Sequence, residues 1–286
     1  MSNVIRPETM DELRSALDRT TPFSKFLAGG TDLVVAMRQS GLEPDTIVDL
    51  SGVSGLKFIE RDNGMMRIGA LVTFSELEKN EILRKHAFCL AKAASQVGSV
   101  QIRNMGTLGG NVAHASPAGD CITPLVMLGA TAVIMDKNGD CSEKKVSDLI
   151  LSPNKTSLTH DAVIIEFRFE ANDAAYRSDF IKVGSRSTVT ISKINIALAC
   201  KMEQNLVVDI KVALGAVGIK PFRDYETEHA FKGMVPNDNS AGLFASAIRK
   251  RVEASIPGRS SLAYKRHAVE GLAFDIFHSV LRPISG

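Results

Sequence analysis

Residues 101–120 read QIRNMGTLGGNVAHASPAGD and combine glycines with short polar side chains, a composition suited to binding a ligand through the backbone. Glycine lets a ligand approach the main chain closely and permits φ > 0. Thr107, Asn111, Ser116 and Asp120 add short hydrogen-bond donors and acceptors. Because the segment has no apolar period, we predict a loop whose ligand is a phosphate-bearing cofactor.

A second stretch, FLAGGTDLVVAM at residues 26–37, predicts the same kind of ligand. An apolar strand end runs into Gly29 and Gly30, and Thr31 and Asp32 stand where a helix would be capped. Free N–H groups and the positive end of a helix dipole suit a pyrophosphate. Such a turn alone also fits an ordinary strand-to-helix connection capped by Thr31. Two glycine-rich loops in one domain favour the cofactor.

The glycine patterns exclude two common nucleotide folds. The chain has neither G-x-G-x-x-G after a strand nor G-x-x-x-x-G-K-[ST], so neither a Rossmann fingerprint nor a P-loop is supported. The phosphate site must therefore belong to another fold.

The motifs AGGTDL at residues 28–33 and TLGGN with ASPAGD at residues 107–111 and 115–120 carry a family resemblance. They resemble the two flavin-binding motifs of the FAD subunit, or medium subunit, of the molybdenum hydroxylases. That family includes xanthine dehydrogenase, carbon monoxide dehydrogenase and nicotinate dehydrogenase. RSSLAYKR at residues 259–266 resembles the Arg-x-Ser-x-x-Tyr-Arg signature of the family's C-terminal domain. The resemblance spans nearly the whole chain.

The resemblance implies an α+β fold with two domains. Residues 1–172 would form an FAD-binding domain of the vanillyl-alcohol-oxidase or p-cresol-methylhydroxylase type, made of two subdomains that divide near residues 53–60. Residues 177–286 would form a smaller α+β domain like the C-terminal domain of the carbon monoxide dehydrogenase flavoprotein. The FAD would lie between the two subdomains.

The resemblance also implies which residues bind the cofactor. Residues 27–34 would embrace the pyrophosphate, residues 107–111 would run beside the phosphates and flavin, and Asp120 would accept hydrogen bonds from ribityl or ribose hydroxyls. The full predicted set is Leu27, Ala28, Gly29, Gly30, Thr31, Asp32, Leu33, Val34, Val97, Thr107, Leu108, Gly109, Gly110, Asn111, His114, Asp120, Val163 and Lys182.

Four of these residues have more particular implied roles. Val97 stands where some relatives carry an aromatic residue near the isoalloxazine ring. Val163 would contribute a backbone or apolar contact. Lys182 would stabilise the reduced flavin as a nearby cation, although a surface lysine on a strand fits its sequence context equally well. His114 is read as a polar residue beside FAD that is held noncovalently.

Composition limits the remaining classes of function. The 286 residues suffice for two domains with separate cores, and a formal net charge of +2 without a compact basic block gives no sign of nucleic-acid binding. No secretory signal and no run of roughly 18 apolar residues is present, so a cytoplasmic location is expected. The cysteines form no C-x-x-C pair and the histidines lack ligand spacing, so neither a metal site nor a catalytic residue is predicted.

The pattern of apolar residues predicts the elements that position these motifs. Thr9 and Glu12 suggest a capping box for a helix through Leu17. Further predicted helices cover residues 74–96 as one or two helices, 122–128, 239–254 and 268–280. Predicted strands cover residues 23–28, 46–50, 66–70, 131–136, 162–169, 180–183, 194–202 and 207–217, and the domain boundary is placed within residues 170–178.

The function implied by the resemblance is one module of a heteromeric enzyme. FAD would sit on this chain, molybdenum-molybdopterin on a large partner subunit, and [2Fe–2S] clusters on a small iron–sulfur partner subunit. Electrons would pass through them to NAD(P), a quinone or another acceptor, in a dimer of heterotrimers. A self-sufficient FAD oxidoreductase of related fold and a flavin-free structural subunit remain as alternatives.

Overall fold

The computed structural model of the protein describes residues 2–173 and 175–281. The chain begins with a three-stranded parallel sheet in the order β1-β3-β2, connected by helices α1 and α2. Thr9 caps α1 by accepting from the Glu12 N–H, but the Glu12 carboxylate accepts from Glu8 instead, so the predicted capping box is only half formed. These elements are β1 (Asn3–Ile5), α1 (Met10–Leu17), β2 (Lys25–Leu27), α2 (Leu33–Ser40) and β3 (Thr46–Asp49), followed by two short 3₁₀ turns at Leu50–Gly52 and Ser54–Leu56.

The two helices of this unit differ in how they are covered. Leu13 and Leu17 of α1 are fully buried against Val48, as the amphipathic pattern of α1 requires. No residue of α2 is buried, and Val34 and Val35 are exposed. The helix that follows the first glycine motif therefore presents most of its surface outward.

A five-stranded antiparallel sheet comes next, in the order β4-β5-β10-β6-β7. β10 is its central strand, where Glu166 accepts from the guanidinium groups of Arg67 and Arg168. The strands are β4 (Ile59–Asp62), β5 (Met65–Gly69), β6 (Thr131–Asp136), β7 (Cys141–Lys145) and β10 (Ala162–Glu170), with β8 (Ile150–Ser152) and β9 (Lys155–Thr156) in a separate pair.

Seven helices are inserted between these strands in the described part of the chain. They are α3 (Phe74–Lys79), α4 (Glu81–His86), α5 (Phe88–Ser95), α6 (Val100–Met105), α7 (Leu108–His114), α8 (Ile122–Met127) and α9 (Val146–Leu149). The predicted one or two helices at residues 74–96 are three, because Asn80 is extended and caps α4 while Ala87 leaves the helical region. The predicted loop at residues 101–120 is largely α6 and α7, since Ser99 and Thr107 each cap a helix there.

The C-terminal part is a four-stranded antiparallel sheet with three helices on one face. Its elements are β11 (Tyr176–Val183), β12 (Ile194–Glu203), β13 (Leu206–Gly215), β14 (Phe222–Arg223), α10 (Tyr225–Phe231), α11 (Asp238–Ser255) and α12 (Leu262–Leu281). The predicted helix at residues 268–280 thus begins earlier than expected, at Leu262.

The C-terminal sheet separates two packing layers by the alternation of its side chains. On β12, Ile196 and Leu198 pack with α11 and α12, whereas the small residues Ala197 and Ala199 join the core of the preceding part. The C-terminal part thus has a core of its own on one face of the sheet, while α5 and α8 pack on the opposite face. This shared layer fixes the position of β11 next to the second glycine motif.

Candidate functional site

The structure brings the two glycine motifs into contact, and we call residues 28–33 the first loop and residues 106–111 the second loop. A Cβ atom added at Gly29 would lie 1.9 Å from the Met105 carbonyl oxygen, which directly precedes the second loop. A Cβ at Gly110 would lie 3.9 Å from the Ala28 Cβ. His114, just beyond the second loop, has its Nε2 atom 4.0 Å from the carboxylate of Asp32 in the first loop. The contact between the loops requires glycine at position 29.

The first loop presents unused backbone donors. Among the residues that the structure describes, the N–H groups of residues 29–33 have no hydrogen-bond acceptor. The first N–H with an acceptor after them is that of Val34, which donates to the Gly30 oxygen at 3.1 Å. Gly30 has a φ of +70°, which turns the chain from β2 toward α2. α2 then adds the positive end of its dipole. This is an arrangement that binds an anion through the backbone.

The second loop uses its backbone donors within the protein. Leu108 and Gly109 donate to the carbonyl oxygens of Val72 and Ala70 at 2.9 and 2.8 Å, and Gly110 donates to the Thr107 hydroxyl at 3.1 Å. A Cβ at Gly109 would come within 2.8 Å of the Ala70 oxygen. None of the glycines of the second loop has a positive φ; they are helical or extended and allow close packing on the end of β5.

Asn111 is the part of the second loop that points to a ligand. Its Oδ1 atom is buried and has no hydrogen-bond partner among the described residues. A buried acceptor without a donor costs about 1–3 kcal/mol, so such atoms are normally satisfied. A hydroxyl or N–H of a bound cofactor would supply the missing donor.

A cavity of about 900 Å³ opens at the first turn of α6, the helix that precedes the second loop. One wall is the end of α5 and the start of α6, and the other is the end of β11 with residues 184–190. Val97, predicted near the flavin ring, lies between the lining residues Gln96 and Gly98 and packs on the core. On α6, Val100, Ile102 and Met105 are 57%, 38% and 57% exposed. Exposed apolar side chains next to an anion site suit an aromatic ring bearing a phosphate tail.

Sequence reasoning missed this apolar face and the cavity wall at residues 184–190. The signal for the first was present in VQIRNM, whose apolar residues recur every two or three positions, but the segment was interpreted as a loop. Residues 184–190 carry no apolar signal and enter the site only because β11 packs against α5.

Asp120 and Lys182 form a buried ion pair with an N···O distance of 2.6 Å. Lys182 Nζ also donates to the carbonyl oxygens of Gln96 and Thr190, which uses all three of its donors. Asp120 accepts in addition from Ser192 and Asn195. Burial raises the pKa of Asp120, while Lys182 and the hydrogen bonds oppose that shift.

The structure contradicts the surface-lysine alternative, because the Lys182 side chain is buried. The flavin role of Lys182 and the hydroxyl-binding role of Asp120 stay predictions; in this structure the Asp120 oxygens accept from Lys182, Ser192 and Asn195. These hydrogen bonds join the ASPAGD segment to β11 at the cavity wall. The Val163 side chain is buried in the core with Leu17 and Leu71, so its predicted cofactor contact would have to come from the backbone.

Comparison with known proteins decides the family. Residues 1–169 match the model for the FAD binding domain in molybdopterin dehydrogenase, and residues 179–280 match that for the CO dehydrogenase flavoprotein C-terminal domain. The chain belongs to the FAD-binding subunits of the molybdenum hydroxylases. The nicotinate dehydrogenase FAD-subunit of Eubacterium barkeri is 30% identical over 285 residues, covering 98% of this chain and 96% of its own.

Two further relatives extend the match. The glyceraldehyde dehydrogenase medium chain of Sulfolobus acidocaldarius is 30% identical over 279 residues, covering 96% of this chain and 97% of its own. A solved structure of carbon monoxide dehydrogenase from Hydrogenophaga pseudoflava, lacking the Mo-pyranopterin moiety of its cofactor, superposes with a TM-score of 0.89. It is 23% identical and covers 98% of this chain and 96% of its own.

These matches confirm the predicted fold class, an FAD-binding domain followed by a CO dehydrogenase flavoprotein C-terminal domain. The residues present fit FAD, because the first loop offers free donors and Asn111 an unsatisfied acceptor. Within residues 2–173 and 175–281, no helix is long and apolar enough to cross a membrane. No cluster of metal-ligating side chains occurs in the same residues.

Proposed function

We propose that this molybdenum-hydroxylase subunit holds one FAD noncovalently and delivers electrons to an external acceptor such as NAD(P) or a quinone. A molybdopterin-bearing large subunit oxidises the substrate and passes the electrons to the [2Fe–2S] clusters of a small partner subunit. The clusters then reduce the FAD on this chain. The observation that carries the proposal is the contact of the two loops, of which one offers the free N–H groups of residues 29–33 and the other the Asn111 acceptor.

The predicted residues divide the binding work by their chemistry. The N–H groups of the first loop bind the pyrophosphate, Asn111 accepts from a cofactor hydroxyl or N–H, and the apolar side chains of α6 cover one side of the ring. FAD, when bound, accepts single electrons and releases them as a pair. His114 and Asp32 flank the pyrophosphate site, and residues 27–34 remain its predicted boundary.

Two observations favour a subunit over a self-sufficient oxidoreductase. The described residues that line the cavity include no His, Asp, Glu, Cys or Tyr, and its two lysines are paired with Asp179 and Asp120, so no free acid–base group faces a substrate there. The relatives matched over 96% and 97% of their own length are named as an FAD-subunit and a medium chain. We therefore place this chain in a cytoplasmic complex with small and large partners, assembled as a dimer of heterotrimers.

The test begins with the purified 286-residue chain. It should show a flavin absorption spectrum, release the yellow colour into the supernatant on acid precipitation, and oxidise reduced nicotinamide with an artificial acceptor. It should hydroxylate no heterocycle or aldehyde until both partner subunits are added. Protein that stays colourless after incubation with FAD would support the flavin-free alternative, and hydroxylation by the metal-free chain would establish self-sufficiency.

A further inference from the structure

Residues 184–190, with the sequence GSRSTVT, form a compact turn over the cavity. The Ser185 N–H donates to Thr190 Oγ1 at 3.0 Å, and Lys182 Nζ donates to the Thr190 oxygen at 3.1 Å. Arg186 Nε donates to the Val189 oxygen at 2.8 Å. These bonds hold Arg186 on the cavity wall while using only one of its five donors.

The charges of the cavity wall are unbalanced. Four of its described residues are cationic and none is acidic. Three of the cations are neutralised by carboxylates outside the lining, in the pairs Lys92–Asp179, Arg103–Glu78 and Lys182–Asp120. Arg186 has no acidic partner among the residues that the structure describes. The cavity therefore has one uncompensated positive charge, located on the 184–190 turn.

Hydroxyl groups line the same cavity. The lining includes Ser185, Ser187, Thr188 and Thr190 on the turn and Ser95 and Ser99 across the cavity. A guanidinium fork with neighbouring hydroxyls is a donor set that matches the oxygens of a phosphate group. A neutral quinone has no anionic oxygens for these donors to bind, whereas a nucleotide phosphate has them.

We propose that Arg186 and the hydroxyls of the 184–190 turn bind a phosphate of the electron acceptor, which makes that acceptor a nicotinamide nucleotide. This inference rests on the proposed function, because it assumes that electrons leave at this cavity. This phosphate subsite is distinct from the pyrophosphate site assigned to FAD. The first loop contacts Met105, the last residue of α6, whereas the cavity lies at the first turn of α6. The six residues of α6 separate the two by roughly 9 Å.

The experiment measures equilibrium binding to the FAD-loaded chain by calorimetry, with NAD⁺, NADP⁺ and redox-inactive ADP-ribose as probes. Arg186→Gln should weaken nucleotide binding by about tenfold or more, as expected for loss of a charged hydrogen bond. Arg186→Lys should restore part of the affinity. Arg84→Gln, which changes an exposed arginine of α4, is the matched control and should bind like wild type.

Steady-state kinetics then separates the acceptor classes. Arg186→Gln should raise the KM for the nucleotide by a similar factor while leaving the KM for a short-chain ubiquinone and the FAD content unchanged. Wild-type affinity for the nucleotide probes in Arg186→Gln, or turnover of ubiquinone without any nucleotide binding, would overturn the inference while leaving the proposed function intact. Loss of FAD from Arg186→Gln would also overturn it, because Arg186 would then hold the cofactor. Failure of wild-type protein to bind FAD would instead refute the proposed function.

Discussion

The first and second glycine loops have similar compositions but opposite uses of their backbone. The N–H groups of residues 29–33 are free, and Gly30 needs its positive φ. In the second loop, Leu108, Gly109 and Gly110 donate within the protein, and Gly109 is required for packing on Ala70. A glycine-rich motif can thus mark either a surface that binds a ligand or a joint that positions it.

This contrast divides the predicted site into residues that set affinity and residues that set stability. Substitutions at residues with free groups, such as those of the first loop and Asn111, should change FAD affinity more than folding stability. Substitutions at residues whose groups are already hydrogen-bonded, such as Lys182 and Asp120, should change folding stability more than FAD affinity. Each substitution below tests that division.

The largest effect is expected for Lys182→Met. This change leaves Asp120 buried without its cation, and breaking a buried pair costs about 3–5 kcal/mol. Thermal and denaturant unfolding of the apo chain should detect the loss, while Lys85→Met on the exposed face of α4 should leave stability unchanged. An unchanged midpoint combined with lost FAD affinity would support the interpretation of Lys182 as a direct flavin contact.

Gly29→Ala should uncouple the two loops. Its Cβ would overlap the Met105 carbonyl, a backbone atom that cannot rotate away, and overpacking of this kind costs about 1–3 kcal/mol. Retention of FAD through gel filtration should be lost because the first loop is displaced. Gly242→Ala in α11 is the matched control, since a Cβ there would meet no atom within 4 Å. Equal FAD retention by both variants would show that the contact between the loops is dispensable.

The sequence predicted those features that depend on local chemistry. The strand Thr131–Asp136 was predicted with its observed limits, and the short polar motifs identified the family. The burial and partners of Asp120, Val163 and Lys182 could not be predicted, because they depend on how β11 and β10 pack against distant segments. The helix α7 was missed because its two glycines lower helix propensity, and the short helix α6 because glycines flank it; capping by Ser99 and Thr107 stabilises both. The domain limits and the full residue set of the site stay predictions.

Asn111→Ala should lower the FAD affinity without lowering the unfolding free energy of the apo chain. In the apo chain the substitution removes a buried acceptor that has no partner, so the unfolding free energy should stay within about 0.5 kcal/mol of wild type or rise. FAD binding should weaken by about tenfold, because a hydrogen bond to the cofactor is lost. Fluorescence titration of apoprotein with FAD and thermal unfolding of the same sample give both values. A destabilised apo chain with wild-type affinity would show that Asn111 has a structural partner instead.

Asp32→Asn is expected to have the smallest effect and the opposite direction. The Asp32 side chain is 62% exposed and makes no capping bond to α2, so its removal should alter folding little. Its negative charge nevertheless stands next to the free N–H groups that would receive a pyrophosphate. Neutralising it should tighten FAD binding by about twofold to fivefold at low ionic strength, since exposed charges interact by about 0.3–1 kcal/mol.

The gain in FAD affinity should shrink at high salt, because dissolved ions screen the interaction between exposed charges. Asp18→Asn, at the end of α1, is the control for a general change in net charge. Weaker binding by Asp32→Asn would mean that Asp32 accepts a hydrogen bond from the cofactor, and the anion site would then have to be limited to the N–H groups before it.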